Sequence, residues 1–366
     1  MDREELGAWL RLLETPQVGR ESARKLLAAF GSPQAVMSAS AAARKSVVGA
    51  FAANALGTPF EGLEALLDMT LDWAGAGTSA SPRHILTLGD PFYPSLLLQT
   101  ADPPLLLYLH GHRELLAAPS LAVVGSRNPT PQGRENARAF ARHLSQSGLT
   151  VVSGLALGID GEAHEAALAD AGRTVAVVGT GLDRVYPRRH LELAHGIASL
   201  GLLVSEYAIG TPPLPPNFPL RNRIIAGLTR GTLVVEAALQ SGSLITARLA
   251  TEAGREVFAI PGSIHSPQSK GCHALLKQGA KLVENAQDIL EELELGVPQA
   301  VAPEPYTTED TDPVLRAMGF DPVNLDALQA RTGLPTAELS VRLLELELSG
   351  HIDRLPGQLF QRMAAA

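Results

Sequence analysis

Apolar positions recur in two different patterns along this chain. Over residues 1–75 they follow the three- and four-residue spacing of amphipathic helices, in a stretch rich in Ala and Leu. We therefore predict a small N-terminal helical domain over residues 1–75. The Gly- and Ser-rich stretch from Gly75 to Pro82 has the composition of a linker.

From about residue 119 the pattern changes to short apolar runs rich in β-branched residues, which alternate with amphipathic helical segments. Continuous apolar strands separated by helices predict a parallel sheet covered on both faces. The fold class is therefore α/β, with a Rossmann-like doubly wound, mostly parallel sheet over residues 82–297. Residues 83–118 are expected to form an extension packed onto it. The predicted strands are 121–124, 149–152, 174–178, 202–205, 232–236, 257–260 and 281–283.

The C-terminal part is separated from the sheet by a Pro-rich, acidic linker over residues 298–313. Helices over 325–331 and 336–349, followed by two short strands around 355–358, predict a winged-helix domain over residues 314–366. Its second helix carries Glu338, Glu345 and Glu347 against a single arginine. Because such a face repels phosphate, we expect a structural or protein-contact role for this helix rather than base reading.

Composition sets the broad class of the protein. The chain has 366 residues, of which 45% are hydrophobic, so it can bury proper cores. Cys272 is the only cysteine, and no stretch approaches the roughly 18–20 apolar residues of a membrane span. We expect a cytoplasmic protein with no membrane contact. The net charge is −8, and residues 298–366 account for −5 of it, with 5 basic and 10 acidic side chains.

Ligands of a doubly wound sheet lie at the carboxyl ends of its strands. Small residues follow four of the predicted strands there, and each turn leads into a helix whose first N–H groups lack intrahelical partners. Arg221 and Arg223, read as a cationic turn before a short helix, add guanidinium groups. We therefore predict a phosphate-binding groove on this edge of the sheet. The four turns are Gly125-Ser126-Arg127, Ser153 to Asp160, Gly179 to Asp183, and Ser241-Gly242-Ser243.

Catalytic and cofactor signatures are weak. The sequence contains neither a dinucleotide-binding G-x-G-x-x-G with its acidic partner nor a G-x-x-x-x-G-K-[ST] loop. His164 lies four residues after Asp160 and could be a base held by a carboxylate, but we favour Asp160 as a helix cap and His164 as a packing residue. Glu236 is more simply an acceptor that holds a loop or an arginine. We predict no catalytic residue, no metal site and no cofactor.

Several motifs in the middle of the chain resemble those of one protein family. They are Val-Gly-Ser-Arg at 124–127, Ser-Gly-Leu-Ala-Leu-Gly-Ile-Asp-Gly-Glu-Ala-His-Glu-Ala-Ala-Leu at 153–168, Val-Ala-Val-Val-Gly-Thr-Gly-Leu-Asp-Arg-Val-Tyr-Pro at 175–187, Ser-Glu-Tyr at 205–207, the stretch from Phe218 to Ala247, Pro-Gly at 261–262, and Ser-Lys-Gly at 269–271. This chain resembles the DprA (DNA-processing protein A, also called Smf) family. Those bacterial proteins bind incoming single-stranded DNA and load the RecA recombinase during natural transformation.

The resemblance implies a homodimer formed through the Rossmann-like domains, no catalysis, and a groove for single-stranded DNA. The N-terminal helical domain is similar to the variable N-terminal domain of that family and is of the SAM or helix-hairpin-helix type. Its turn around Gly19 resembles a helix-hairpin-helix, but Gly19 alone stands for the usual paired glycines, so we favour a structural helical turn over a phosphate-binding one. The expected nucleic-acid-binding residues are Gly125, Ser126, Arg127, Ser153, Gly154, Ala156, Gly158, Phe218, Arg221, Asn222, Arg223, Ser241, Gly242, Ser243 and Lys270.

A groove that follows the backbone and has few groups to read base edges should bind without strong sequence preference. Aromatic residues make up 4% of the chain, so stacking must come from a few rings such as Phe218 or Tyr207. Two other functions remain open. One is a nucleotide-processing phosphoribohydrolase on a similar scaffold, although no acid follows the Ser241 turn until Glu252. The other is a winged-helix regulator that reads duplex DNA.

Overall fold

The computed structural model describes residues 1–170, 172–294 and 312–363 of the chain. Its centre is a nine-stranded sheet in the order β1-β2-β6-β5-β4-β3-β7-β8-β9. The strands from β6 to β9 pair in parallel, whereas β1 and β2 pair antiparallel and extend one edge. The strands are β1 (Arg83–Thr87), β2 (Leu106–Gly111), β3 (Ser120–Val124), β4 (Thr150–Ser153), β5 (Thr174–Val177), β6 (Leu202–Ser205), β7 (Gly231–Val234), β8 (Glu256–Ala259) and β9 (Lys281–Leu282).

Helices cover both faces of this sheet, as the fully apolar strands predict. Along β3, Leu121 and Val123 belong to one buried cluster, whereas Ala122 and Val124 belong to the cluster on the opposite face. The Rossmann-like, mostly parallel α/β fold is confirmed. The helices of this part are α6 (Ser95–Leu98), α7 (Pro131–Gln146), α8 (Ile159–Asp170), α9 (Leu191–Leu200), α10 (Asn217–Leu228), α11 (Ser243–Glu252), α12 (Lys270–Lys277) and α13 (Ala286–Glu292).

The order of the strands reverses at β3. The chain runs outward from β3 through β4 and β5 to β6, and then returns through α10 to place β7 on the other side of β3. The loops after β3 and β7 therefore leave the sheet in opposite directions and open a crevice between them. This is the place where open α/β sheets bind ligands.

The N-terminal residues form five helices that pack onto the sheet. Trp9, Leu12 and Leu26 belong to the same buried cluster as Tyr108 and Ala176 of the sheet, so the helical part shares a core with the sheet. Gly19 precedes the second helix at its N-terminus, with φ −75°. The helices are α1 (Arg3–Glu14), α2 (Arg20–Phe30), α3 (Pro33–Ser38), α4 (Ala41–Ala55) and α5 (Leu63–Gly75).

The C-terminal part has the element order of a winged helix and its own apolar core. We predicted two short strands around 355–358. The observed strands are 352–355 and 359–362, and residues 356–358 form the turn between them. The predicted linker 298–313 lies outside the described residues up to residue 311. The elements are α14 (Pro313–Met318), β10 (Val323–Asn324), α15 (Leu325–Thr332), α16 (Thr336–Leu348), β11 (Ile352–Leu355) and β12 (Leu359–Arg362).

One prediction of local structure is wrong. Arg221 and Arg223 do not form a turn before a short helix, because both lie within α10, which begins at Asn217. Pro216 and Pro219 occupy its first turn region, where a missing backbone N–H costs least. Within the described ranges, no helix combines the length and the apolar character that crossing a membrane requires.

Candidate nucleic-acid interface

A cavity of about 480 Å³ opens at the carboxyl ends of β3 and β7, against the first half of α10. It lies at the crevice where the strand order reverses. Ten of the fifteen predicted binding residues line it, and Ser153, Gly154, Gly158, Arg223 and Lys270 do not. The ten are Gly125, Ser126, Arg127, Ala156, Phe218, Arg221, Asn222, Ser241, Gly242 and Ser243.

The loop after β3 holds an exposed cation at the mouth of this cavity. The Ser126 N–H donates to the Glu236 carbonyl at 2.7 Å, and the Glu236 carboxylate accepts from the Thr130 N–H at 2.9 Å and the Thr130 hydroxyl at 2.5 Å. Glu236 thus holds the loop as an acceptor, and burial raises the pKa of its carboxyl. Arg127 lies between these anchors. It is exposed, and no described residue pairs with its side chain.

The turn after β4 is held from within. The buried Asp160 carboxylate accepts from the N–H groups of Gly154 at 3.1 Å and Ala156 at 3.3 Å, and burial raises the pKa of Asp160. The Ser153 hydroxyl donates to the Val123 carbonyl at 2.6 Å. These two N–H groups are therefore already bonded inside the protein. This differs from our expectation that the turn offers its N–H groups to a ligand.

Two glycines of the same turn are required by close packing. Gly158 has φ +82°, and a Cβ added there would lie 2.3 Å from the Ser126 carbonyl oxygen. A Cβ added at Gly154 would lie 2.1 Å from a terminal nitrogen of Arg221. Both positions thus let neighbouring groups approach the backbone. They shape the wall behind the cavity rather than line it.

Arg221 forms the floor of the cavity. Its side chain is buried, with 4% of the residue exposed. It donates from Nη1 to the Val177 carbonyl and from Nε to the Phe218 carbonyl at 3.3 Å. Burial lowers the pKa of its guanidinium to about 10, against the opposing effect of the Asp160 carboxylate. Arg221 is therefore a buried cation beneath the ligand space, not a surface arginine.

Arg223 points away from the cavity. Its guanidinium pairs with Asp102 at 2.8 Å and with Glu206 at 2.5 Å, and its side chain is 12% exposed. Arg20 of α2 pairs with both of these carboxylates and Arg24 pairs with Asp102, so the cluster joins the N-terminal helices to α10. Arg223 consequently does not share a surface with Arg127, in contrast to the groove wall we predicted.

The Ser241–Ser243 turn offers fewer free donors than its position suggests. The two hydroxyl groups bond to each other at 2.7 Å, and the Ser243 N–H donates to the Ser241 hydroxyl at 3.3 Å. The next N–H groups, of Leu244 and Ile245, bond to carbonyls of the turn. Gly242 is exposed, and a Cβ added there would meet nothing within 4 Å. The turn is therefore an open wall lined mainly by hydroxyl groups.

An aromatic pair lies beside the cavity. The rings of Phe218 and Tyr186 have centroids 5.3 Å apart, and half of Tyr186 is exposed. Gly179 lies beneath Phe218, where an added Cβ would come within 3.1 Å of the ring. Tyr207 is engaged elsewhere, because its hydroxyl donates to the Asn217 carbonyl at 3.1 Å and burial raises its pKa to about 12. Of the two rings that we suggested for stacking, Phe218 is the one at the cavity.

Sequence reasoning missed several polar residues of this site. Asn128, Gln240 and Gln268 line the cavity, and Gln268 donates from its side chain to the Asn128 carbonyl at 3.2 Å. Two of them could have been found, since Asn128 directly follows the Val-Gly-Ser-Arg motif and Gln240 directly precedes Ser241. Lys270, which we predicted, is exposed outside the cavity, and its ammonium donates to the Ile264 carbonyl.

His164 has no role at the cavity. It is fully buried, and its Nδ1 bonds to the Thr174 hydroxyl at 2.7 Å rather than to Asp160. Burial lowers its pKa to about 3, so the ring is neutral at physiological pH. The packing role that we favoured for His164 agrees with these contacts. Among the described residues, no three His, Cys, Asp or Glu side chains are grouped as metal ligands would be.

Comparison with known proteins identifies the family. A model described as DNA recombination-mediator protein A matches residues 84–294, and a DprA winged helix domain model matches residues 298–358. Protein Smf of Escherichia coli strain K12 is 46% identical over 285 residues, which are 75% of this chain and 76% of the relative.

Two solved structures agree with this assignment. The X-ray structure of DNA processing protein A from Streptococcus pneumoniae has a TM-score of 0.68 at 38% identity, covering 78% of this chain and 97% of that one. A Helicobacter pylori DNA processing protein A, described with a single-stranded DNA binding mode, has a TM-score of 0.53 at 33% identity and covers 58% of this chain and 97% of its own. The chain therefore belongs to the DNA recombination-mediator protein A family, the DprA and Smf proteins.

Proposed function

We propose that this chain binds single-stranded DNA without strong sequence preference at the edge between β3 and β7, and that it loads a RecA recombinase onto that DNA in transformation or recombination. The observation that carries the proposal is Arg127, an exposed cation without a described partner at the mouth of the cavity. An unpaired guanidinium beside small residues suits a phosphate group. Family membership makes a nucleic acid the expected source of that phosphate.

The cavity supplies two kinds of contact for a single strand. Arg127 and the hydroxyl groups of Ser126, Ser241 and Ser243 suit the sugar-phosphate backbone. The ring of Phe218, together with Tyr186, offers apolar faces on which bases can stack, which is a contact that every base can make. A duplex hides its base faces, so this combination favours single strands. The H. pylori relative is described as a single-stranded DNA binder, in line with the proposal.

The buried arginines enter the proposal with different roles. Arg221 supplies positive potential from below the cavity, and it can act at short range because its surroundings exclude water. Arg223 holds α10 in place through Asp102 and Glu206 and is not assigned a phosphate. Ser153, Gly154 and Gly158 support the wall, and Lys270, exposed outside the cavity, is not assigned a phosphate within it. The homodimer and the recombinase contact are proposed from the family alone.

The test is a titration of a fluorescently labelled oligothymidine, read by anisotropy at several salt concentrations. We expect Arg127→Ala to weaken binding by roughly an order of magnitude at low salt and to reduce the slope of log K against log salt by about 0.7, the value for one phosphate contact on single strands. Arg3→Ala is the matched control. It removes the same charge from an exposed position on α1, where the arginine pairs with Glu64 and Asp68, and should leave binding unchanged.

Two outcomes would refute the proposal. One is equal binding by wild type and Arg127→Ala at low salt. The other is equal affinity for duplex and single strand at every salt concentration. Loading is tested separately, by measuring RecA filament formation on DNA coated with a single-strand-binding protein, with and without this chain.

A phosphoribohydrolase is not favoured by the geometry. Among the described residues that line the cavity, Asp160 carries the one carboxylate, and that carboxylate is bonded to two backbone N–H groups. It is therefore poorly placed to act on a ribose. Incubation with nucleoside monophosphates, followed by chromatography for free base, would reveal such an activity.

A further inference from the structure

Helix α16 has two apolar faces, and only one of them is buried. Leu339, Leu343 and Leu346 form the inner face, at 0%, 2% and 5% exposure. A second set lies on the opposite side of the helix, which turns by about 100° per residue. We call this set the outward stripe; it consists of Ala337, Val341, Leu344 and Leu348.

The outward stripe is unusually exposed for residues of its type. Val341 is 60% exposed, Leu344 55% and Leu348 81%. A single exposed leucine on a surface needs no explanation, but a continuous row along a whole helix face is typical of an interaction site. The inner face supplies the buried residues of α16 in the winged-helix core. The outward stripe therefore adds nothing to that core.

The spacing of the stripe identifies the shape of what would cover it. Its members follow one another at intervals of four, three and four residues, which is the a/d spacing of helices that pack side by side. A strand or an extended peptide would not match this spacing. The spacing therefore suits a second helix lying along α16.

The charges beside the stripe identify the chemistry of that helix. Glu338 and Glu345 border it on one side and Glu347 on the other. Arg342, the one basic residue of α16, is turned away and pairs with Asp312 and Glu345. Acidic borders at these positions select a partner with basic residues beside its own apolar stripe.

We propose that the outward stripe of α16 is a docking site for a basic amphipathic helix of a partner protein. A second copy of α16 is disfavoured because its glutamates would face these glutamates. The chain's own segment over residues 298–311 is also disfavoured, because its sequence is acidic and Pro-rich. Duplex DNA is disfavoured by the same negative charge. The site is separate from the proposed DNA cavity.

The test uses the full chain and a labelled synthetic peptide of about three heptads, with Leu at a and d and Lys at e and g; a peptide with Glu at e and g is its counterpart. We expect the Lys peptide to bind and the Glu peptide not to bind. Leu344→Ala with Leu348→Ala should weaken binding of the Lys peptide at least about tenfold, because the variant removes two of the large apolar side chains of the outward stripe. Both residues are exposed, so the variant should melt like the wild type and bind oligothymidine unchanged.

A second variant tests the charges. Glu345→Lys with Glu347→Lys should reverse the preference, so that the Glu peptide binds better than the Lys peptide. Three results would overturn the inference. The first is undiminished binding of the Lys peptide to the Leu344→Ala, Leu348→Ala variant, which would reduce the effect to bulk charge. The second is a concentration-dependent dimer of the wild type that the Leu344→Ala, Leu348→Ala variant does not form. The third is binding of duplex DNA that the Leu344→Ala, Leu348→Ala variant weakens.

Discussion

The contact between Gly154 and Arg221 gives the sharpest test of the cavity floor. A methyl group added at Gly154 would lie 2.1 to 2.3 Å from three atoms of the guanidinium, far inside any tolerated contact. The guanidinium ends a long side chain, yet it is buried and donates to the carbonyls of Val177 and Phe218. Either the turn or the guanidinium must therefore move in Gly154→Ala.

The loss of stability in Gly154→Ala can be estimated for each of these two movements. Overpacking of a well-packed site typically costs about 1–3 kcal/mol. Losing a hydrogen bond to a charged group costs a similar amount, about 1.5–3 kcal/mol. These are alternatives rather than a sum, so we expect Gly154→Ala to lower the free energy of unfolding by about 2 kcal/mol. In a domain of about 200 residues this corresponds to a fall in Tm of roughly 4–8 °C.

Gly242→Ala is the matched control. Gly242 lies on the facing wall of the cavity with helical backbone angles, φ −62° and ψ −21°, and an added methyl group meets nothing within 4 Å. We expect a change below about 0.5 kcal/mol there. Thermal unfolding of the full chain, followed by circular dichroism, compares the two variants with wild type. Melting of Gly154→Ala within about 1 °C of wild type would show that Arg221 has room to move, and our description of the floor would be wrong.

Three further predictions concern the buried His164 ring, the ion cluster of Glu206 and the Tyr186 ring beside the cavity. Burial lowers the pKa of His164 from its ordinary value of 6.5 to about 3, so the stability that depends on the neutral ring is present above pH 6.5 and is lost as the pH falls toward 3. The free energy of unfolding, measured by urea titration, should therefore fall more steeply below pH 6.5 in wild type than in His164→Gln. Equal pH dependence of the two proteins would contradict this. Glu206→Gln should lower the free energy of unfolding by about 3 kcal/mol, because the Arg223 side chain, which is 12% exposed, loses one of its two carboxylate partners. Arg20→Ala should lower it by less than about 1 kcal/mol in the same urea unfolding experiment, because the Arg20 side chain is 37% exposed. Tyr186→Ala should weaken oligothymidine binding by about 1 kcal/mol or more, roughly fivefold, through lost stacking; unchanged anisotropy would remove this ring from the proposed site.

The sheet was predictable because buried parallel strands are continuously apolar. Every predicted strand from 121 to 283 overlaps an observed one, and the small-residue turns mark the edge where the cavity lies. For β1 and β2, only an extension of the sheet could be predicted. Their antiparallel pairing could not, because the sequence of each strand does not distinguish one face from the other. Pairing partners depend on contacts between distant residues.

The orientation of the arginines was not predicted, and the reason is the backbone. Read as a turn, Arg221 and Arg223 can point to the same side. On α10, Arg221 and Arg223 are two positions apart and therefore point about 200° apart around the helix axis. The Arg221 guanidinium lies under the cavity, and the Arg223 guanidinium faces Asp102 and Glu206. A correct helix boundary at Asn217 would have separated their roles. The bonds from Asp160 to the Gly154 turn could not be foreseen, since the sequence does not show where a carboxylate points.

The ion cluster of Asp102, Glu206 and Arg223 bears on how this protein can be divided. Arg20 and Arg24 enter it from α2, and Trp9 and Leu26 share one buried core with Tyr108 of the sheet. A fragment beginning near residue 82 would leave two carboxylates to one arginine and would uncover an apolar surface that the helices normally shield. The N-terminal helices are in this sense an integral lining of the sheet. Exchanging them between relatives should succeed only where the arginines and their acidic acceptors travel together.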